Sequence, residues 1–260
     1  MGEMSSYLLE FQIFILVVVR MSSFIVTCPV LSSTLIPARA KVILSLLLSF
    51  TIFPIINTAD FQLVTTLFMF VQLIAMEVFA GMILGFVGTI VFEAIRVAGE
   101  VAGMQGGFGI VSVMDPQHQQ QISIISIFLF ILATLLFIAT GGLIHLMATI
   151  IKSYKVIKVG GASIFPFASI KIASFFSEMI SEAIKLVLPI TAIVLTINCV
   201  MGLLSRAVPK IQVFLMAFPL NLIFSMTMFL VIMPLYFDMI KGLFDKVYGS
   251  FDFFYKMLGA

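Results

Sequence analysis

Between Pro116 and Lys152 the chain carries no Asp, Glu, Lys or Arg. A single helix over that run would extend ~50 Å, well beyond the ~30 Å hydrocarbon core of a bilayer, so it must break or protrude. The rest of the sequence has the same character. Of its 260 residues 62% are hydrophobic and 10% charged, with a mean hydropathy of +1.25, whereas a soluble domain carries about 25% charged residues. The expectation is an all-α integral membrane protein with about six hydrophobic helices. A net charge of +2 with scattered lysines does not suit a nucleic-acid partner.

The stretch from Arg96 to Pro116 is the one place where a glycine-rich segment interrupts the apolar pattern. Gly99, Gly103, Gly106, Gly107 and Gly109 let other backbones approach closely. Gly106 and Gly107 end the helical pattern, and Phe108, Ile110, Val111, Val113 and Met114 follow with Ser112 among them. In a membrane, non-helical backbone persists only where protein buries it or where it lines a water-filled cavity. The segment Gly106 to Met114 is therefore a candidate constriction that closes by excluding water. The plainer alternative is a tight interhelical turn.

In chain order, Phe11 to Leu31 is the first apolar segment, expected to be retained as a span, with Arg20 inside it. An arginine at that depth must face protein, water or a headgroup. Val42 to Ile56 is short for a full crossing, and Phe61 to Ala102 reads as one long helix or two, with the carboxylate of Glu77 in its middle. Glu77 fits either a functional intramembrane acid or a residue hydrogen-bonded at a helix interface. Gly81 and Gly85, like Gly99 and Gly103, have the small-xxx-small spacing of close helix packing. Glu93, Arg96 and Glu100 share one helix face and can neutralise each other. Asp115-Pro116 has the form of a helix start, and Gly141-Gly142 of a helix break, with His145 just beyond as a candidate proton-handling residue that has no carboxylate nearby in sequence. Lys152 to Lys185 is the most polar stretch. Past it, Leu186 to Leu204 and Val213 to Phe237 form a hairpin joined by a basic turn containing Arg206, with Pro189, Pro219 and Pro234 suggesting kinked arms. The tail from Asp238 reads as an amphipathic interfacial helix, and the Lys and Arg distribution places both termini on the cytoplasmic side.

Nucleotide, hydrolase and zinc signatures are absent: there is no GxxxxGK[ST], HExxH or GxSxG. His118 and His145 are the only histidines, and Cys28 and Cys199 stand apart as expected buried hydrophobes. No metal, no cofactor and no enzymatic activity is expected. Two classes remain, a subunit of a conduit or gate and a stand-alone small-solute transporter. The transporter should show two similar halves with matching broken helices, which this sequence lacks.

The order of landmarks resembles the FliR/SctT family of type III export-gate subunits, flagellar or injectisome. The similarity runs through Arg20, Pro29, L-I-P-A-R-A-K around Pro37, A-G-E-V-A-G-M-Q-G-G-F from Ala98 to Phe108, and Asp115-Pro116. It continues through Leu188-Pro189, Asn198, G-L-L-S-R-A-V-P from Gly202 to Pro209, Val213-Phe214 and Phe218-Pro219-Leu220. Two places depart from the family pattern: Gly141-Gly142-Leu-Ile-His145 in place of a Gly-His pair, and Pro209-Lys210-Ile211-Gln212 in place of Pro-Gln and a small polar residue.

The resemblance implies a FliP-like part over residues 1–175 and a FliQ-like helical hairpin with its tail over 176–260. It implies a subunit that closes a helical ring with FliP and FliQ, works beside FlhB and FlhA-like subunits in the bacterial inner membrane at the flagellar basal body, and passes unfolded substrates. The segment Gly106, Gly107, Phe108, Gly109, Ile110, Val111, Ser112, Val113 and Met114 would plug the channel. Arg20, Glu77, Glu93, Arg96, Glu100 and Arg206 would be intersubunit charges, Gly81, Gly85, Gly99 and Gly103 packing and assembly positions. The helices need not all cross lipid.

Overall fold

A computed structural model describes residues 2–33, 36–56, 61, 63–108, 123–161, 167–207 and 213–258. Among them the chain is helical without strands. The helices are α1 (Gly2–Thr27), α2 (Ala38–Ile52) extended by a 3-10 turn at Phe53–Ile55, α3 (Leu67–Gln105), α4 (Ile124–Ala139), α5 (Gly142–Val156), α6 (Phe167–Ala207) and α7 (Val213–Leu258). Among the described residues, five stretches are long and apolar enough to cross a membrane, over Ser6–Thr27, Ala38–Ile55, Leu67–Gln105, Ile172–Ala207 and Met216–Tyr255. The pair α4 and α5, broken at Gly141, counts as a sixth if the two together form one span. The protein is an all-α membrane protein.

Local sequence explains several boundaries. Gly141 takes a left-handed φ of 76° between α4 and α5, which glycine adopts without the Cβ penalty, so the charge-free run breaks where its glycine pair falls. The α1–α2 turn uses Val30 at φ 68°, a strained setting for a β-branched residue. It is braced by the Lys41 ammonium, which donates to Ser32 O at 2.8 Å. The segment leading into α3 is clipped to α1 by one amide: Gln12 Nε2 donates to Val64 O at 2.8 Å, and Val64 N donates back to Gln12 Oε1 at 3.2 Å.

Three expectations about extent change. Phe61 to Ala102 is a single helix from Leu67, 39 residues long, roughly 60 Å at 1.5 Å per residue. The second hairpin is also longer than its apolar centre, since α6 begins at Phe167, inside the lysine-rich stretch. The tail is no separate element, because α7 continues unbroken to Leu258. Pro189, Pro219 and Pro234 all lie inside continuous helices. Helix persists past the hydropathy drop because an apolar stripe persists. Ile240, Leu243, Phe244, Val247, Phe251 and Phe254 are buried at helical spacing.

The chain divides into two compact units, each drawing on both sides of residue 175. One comprises Met1–Ile90, Gly141–Phe175 and Asp245–Ala260, with Leu16, Val17, Phe24, Leu84, Val87 and Ile150 in its core. The other comprises Val91–Thr140 and Phe176–Phe244. Its core contains a triangle of rings, with Phe92 to Phe137 centroids 5.3 Å apart, Phe92 to Phe244 5.5 Å and Phe137 to Phe244 5.2 Å. Helices α6 and α7 run antiparallel there: Tyr236 OH donates to Leu186 O at 3.0 Å and Asn221 Nδ2 to Asn198 Oδ1 at 3.2 Å.

Candidate functional site

Helix α3 organises the site. Its first half presents Glu77, Gly81, Gly85 and Thr89 at a spacing of four, on one face, and that face meets α1. A β-carbon on Gly81 would lie 3.1 Å from Phe24 N and closer still to Arg20 O and Ser23 Oγ. One on Gly85 would lie 2.9 Å from Phe24 O. Thr89 Oγ1 donates to Thr27 O. Only residues without a side chain let the two backbones come this close.

At the head of the face, Arg20 and Glu77 form an ion pair with both side chains 0% exposed. Arg20 Nε donates to Glu77 Oε2, and Arg20 Nη2 to Glu77 Oε1 at 2.9 Å. The pair also holds the chain after α5. Arg20 Nη1 donates to Ile157 O at 3.1 Å and Nη2 to Lys158 O at 3.4 Å, while Gly160 N donates to Glu77 Oε1 at 2.7 Å. The guanidinium carbon sits 4.2 Å from the centroid of the Tyr154 ring, whose hydroxyl donates to Val17 O at 3.2 Å. Each charge thus has partners for its remaining hydrogen-bonding groups, the condition under which a buried pair is tolerated. Arg20 and Glu77, expected from the resemblance as intersubunit charges, meet each other inside this chain with both side chains buried.

The second half of α3 meets the start of α4. A β-carbon on Gly99 would lie 2.5 Å from Ser126 Cα, and one on Gly103 would lie 2.6 Å from Ser123 Cβ. Ser126 Oγ donates to Arg96 O at 2.8 Å. Gly81, Gly85, Gly99 and Gly103 therefore all serve packing within the chain. Glu93 and Arg96 pair at 2.6 Å with 43% and 42% of their side chains exposed. Glu100 is half-buried on the same face, and Arg206 is exposed in the last turn of α6.

The glycine pair stops α3 by a Schellman arrangement. Phe108 N donates to Gly103 O at 2.9 Å and Gly107 N to Met104 O at 3.3 Å, with Gly107 at φ 88°. Both glycines are also tight spots. A β-carbon on Gly106 would lie 3.1 Å from Ser225 Cβ, and one on Gly107 would lie 3.1 Å from the Phe218 ring. Gln105 Oε1 accepts from Thr191 Oγ1 at 2.6 Å, so the helix end is fixed against both α6 and α7. At the start of α4, Ser123 caps the helix by accepting from Ile125 N at 3.3 Å. The chain therefore leaves α3 and enters α4 at one point: Gly103 accepts from Phe108 and packs against Ser123. Of the proposed plug, Gly106, Gly107 and Phe108 are described. Gly109, Ile110, Val111, Ser112, Val113 and Met114 lie outside the described residues, as do His118 and Asp115-Pro116.

Sequence reasoning missed the counter-surfaces. Tyr154 was hidden in the lysine-rich stretch, and Phe218 entered only as part of the Phe218-Pro219-Leu220 motif, with no partner assigned to it. Ser123 and Ser126 carried a signal, two serines three apart opposite two glycines four apart, which is how small faces oppose one another. His145 stacks on Tyr248, centroids 4.5 Å apart. Cys28 is buried as expected but Cys199 is exposed. No group of His, Cys, Asp or Glu able to hold a metal occurs among the described residues.

The family described as "Bacterial export proteins, family 1" matches residues 11–247. The chain is 27% identical over 230 residues to the flagellar biosynthetic protein FliR of Escherichia coli (strain K12), covering 88% of this chain and 87% of that one. It is 31% identical over 231 residues to FliR of Buchnera aphidicola subsp. Acyrthosiphon pisum, covering 88% of each. With FliR of Bacillus subtilis (strain 168) it shares 28% identity over 247 residues, 93% of this chain and 94% of that one. Matched almost end to end on the segments that build α1 through α7, the chain belongs to family 1 of the bacterial export proteins.

Proposed function

We propose that this chain is a structural and gating subunit of a flagellar protein export apparatus in the bacterial inner membrane, and not an enzyme. In this reading it closes a helical ring with FliP and FliQ subunits, beside FlhB and FlhA-like partners, and unfolded export substrates pass through the ring. Residues 1–175 act as the FliP-like part and 176–260 as the FliQ-like hairpin. The segment Gly106 to Met114 supplies an apolar plug to the conduit.

The observation that carries the reading is the common anchorage of Phe108 and Ser123 at Gly103. A glycine-coded helix stop, fixed by Gln105, Phe218 and Ser225, anchors the start of the apolar segment, and Ser123 anchors the chain again nine residues past Met114. That is what a seal needs if it is to yield without disturbing its frame. The apolar outer surface of the hairpin supports contact with other membrane subunits and lipid. Leu188, Leu195, Leu203, Leu230 and Val231 are exposed over α6 and α7, more than a chain alone in water sustains. Glu93, Arg96, Glu100 and Arg206 remain available for polar contacts between subunits; Arg20 and Glu77 do not.

The reading is tested by expressing the tagged chain with the FliP and FliQ homologues of its own genome and purifying in mild detergent. Mass spectrometry of the intact particle is expected to find a mixed ring containing one copy of this chain. Recovery of a lone chain, or of a chain active in solute uptake without partners, overturns it.

A further inference from the structure

The early turns of α1 place Tyr7, Glu10, Phe11 and Phe14 at spacings of three and four, on one helix face. Together with Phe50, Phe53 and Pro54, at the end of α2 and in its 3-10 turn, they line a cavity of about 460 Å³, a size within the range of small-ligand pockets. Edge-to-face ring contacts set its frame, with the Phe14 centroid 5.8 Å from that of Phe50 and 5.7 Å from that of Phe53. The lining is open to a ligand, since Tyr7, Phe11 and Phe50 are 71%, 61% and 75% exposed. Glu10 is the one charged side chain in that lining. Among the described residues it makes no hydrogen bond or ion pair.

We propose that this cavity binds a phospholipid whose headgroup carries an ammonium, as ethanolamine does. The ammonium sits beside the Glu10 carboxylate and against the aromatic rings, and the first methylenes of an acyl chain fill the rest. Chemistry, place and size each select this occupant. A carboxylate and aromatic rings both attract a cation, the one by its charge and the other through the negative face of the π-system, and the carboxylate repels a headgroup that is only anionic. The place is the level of lipid headgroups, because the apolar stretch Ser6–Thr27 begins here and Ala38–Ile55 ends here. A tyrosine at the end of a span keeps its ring in the apolar layer and its hydroxyl in the wet one. The volume disfavours a protein segment: a helix about 10–12 Å across with its side chains is too wide, and one inserted lysine side chain would leave most of the aromatic lining unfilled. The cavity is built from α1, α2 and the 3-10 turn alone, so its occupancy does not depend on the export reading.

The test titrates the purified full chain in detergent with dioleoylphosphatidylethanolamine and, separately, dioleoylphosphatidylglycerol, counting bound lipid by native mass spectrometry. The two lipids share their chains and phosphate, and differ in that one headgroup carries an ammonium where the other carries hydroxyls. The ethanolamine lipid is expected to bind about fivefold to tenfold more tightly, from one exposed carboxylate and the ring contacts. Glu10→Gln should remove most of that preference and Phe11→Ala should weaken binding of the ethanolamine lipid, while Asp245→Asn, at an exposed acid on α7, should change neither. Equal binding of the two lipids overturns the proposal, as does a preference that survives Glu10→Gln, ignores Phe11→Ala or falls equally with Asp245→Asn. Displacement of the lipid by millimolar ethanolamine also overturns it, since the site would then take a free ammonium compound and not a lipid. A Glu10-dependent dimer in the same spectra, without lipid preference, would give the cavity to a second copy of this chain and overturn it too. The three substitutions lie on exposed side chains, so loss of the fold will not mask the outcome.

Discussion

At the scale of single residues, the Arg20–Glu77 pair makes the sharpest prediction. Removing one partner leaves the other charged and buried, which costs about 3–5 kcal/mol. Glu77→Gln or Arg20→Met should therefore lower the thermal unfolding temperature of the purified chain strongly, and the double apolar variant Arg20→Met/Glu77→Met should recover most of the loss. Equal destabilisation by single and double variants would show that the pair is not acting as a unit. A second prediction concerns Gly107, which combines φ 88° with the Phe218 ring at its back. Gly107→Ala should cost at least about 1–2 kcal/mol, read in the same unfolding assay, and Ala at Gly202, which has nothing within 4 Å, should cost less than Gly107→Ala. Both charges stood out in the sequence because charges in apolar helices are rare. Their partnership was not legible, since 57 residues separate them and only the register of α1 on α3 brings them together. The family resemblance drew them outward to subunit contacts, while the residue-level reading of Glu77 as a hydrogen-bonded group at a helix interface matched the structure.

At the scale of elements, α3 is a spine with two small-residue faces. The contacts at Gly99 and Gly103 differ in kind, which gives a prediction no single substitution could. At Gly103 the obstructing atoms belong to the Ser123 side chain, so Gly103→Ala should destabilise and Ser123→Gly should rescue it, a glycine costing only a few tenths of a kcal/mol as a helix cap. At Gly99 the obstruction is Ser126 Cα, a backbone atom, so Ser126→Gly should rescue Gly99→Ala poorly. Unfolding of the chains of two double-mutant cycles, one per site and sharing the wild type, reads the difference, and equal rescue at both sites would contradict the packing described. Cysteine labelling checks the exposure of α1 and α6. Cys199 is exposed and Cys28 buried. Maleimide should modify Cys199 alone in the folded chain. The helices and the Gly141 break were legible because apolar runs and glycine pairs act locally. The true ends of α6 and α7 were not, because their outer turns are polar on one side and stay helical through an apolar stripe that a hydropathy window averages away.

At the scale of the whole molecule, two compact units share the long helices α3, α6 and α7. The family-level function was legible from the order of short motifs, each weak in isolation, and the match over residues 11–247 bears that order out. The seal is the central claim, and ion conductance tests it most directly. Residues 109–114 would be replaced by glycine and serine, keeping Gly106, Gly107, Phe108 and Ser123 so that both anchors remain, and the co-purified ring reconstituted into planar bilayers. The account predicts a steady ion conductance that the wild-type ring lacks; a replaced ring that assembles normally and stays as tight as wild type would contradict it.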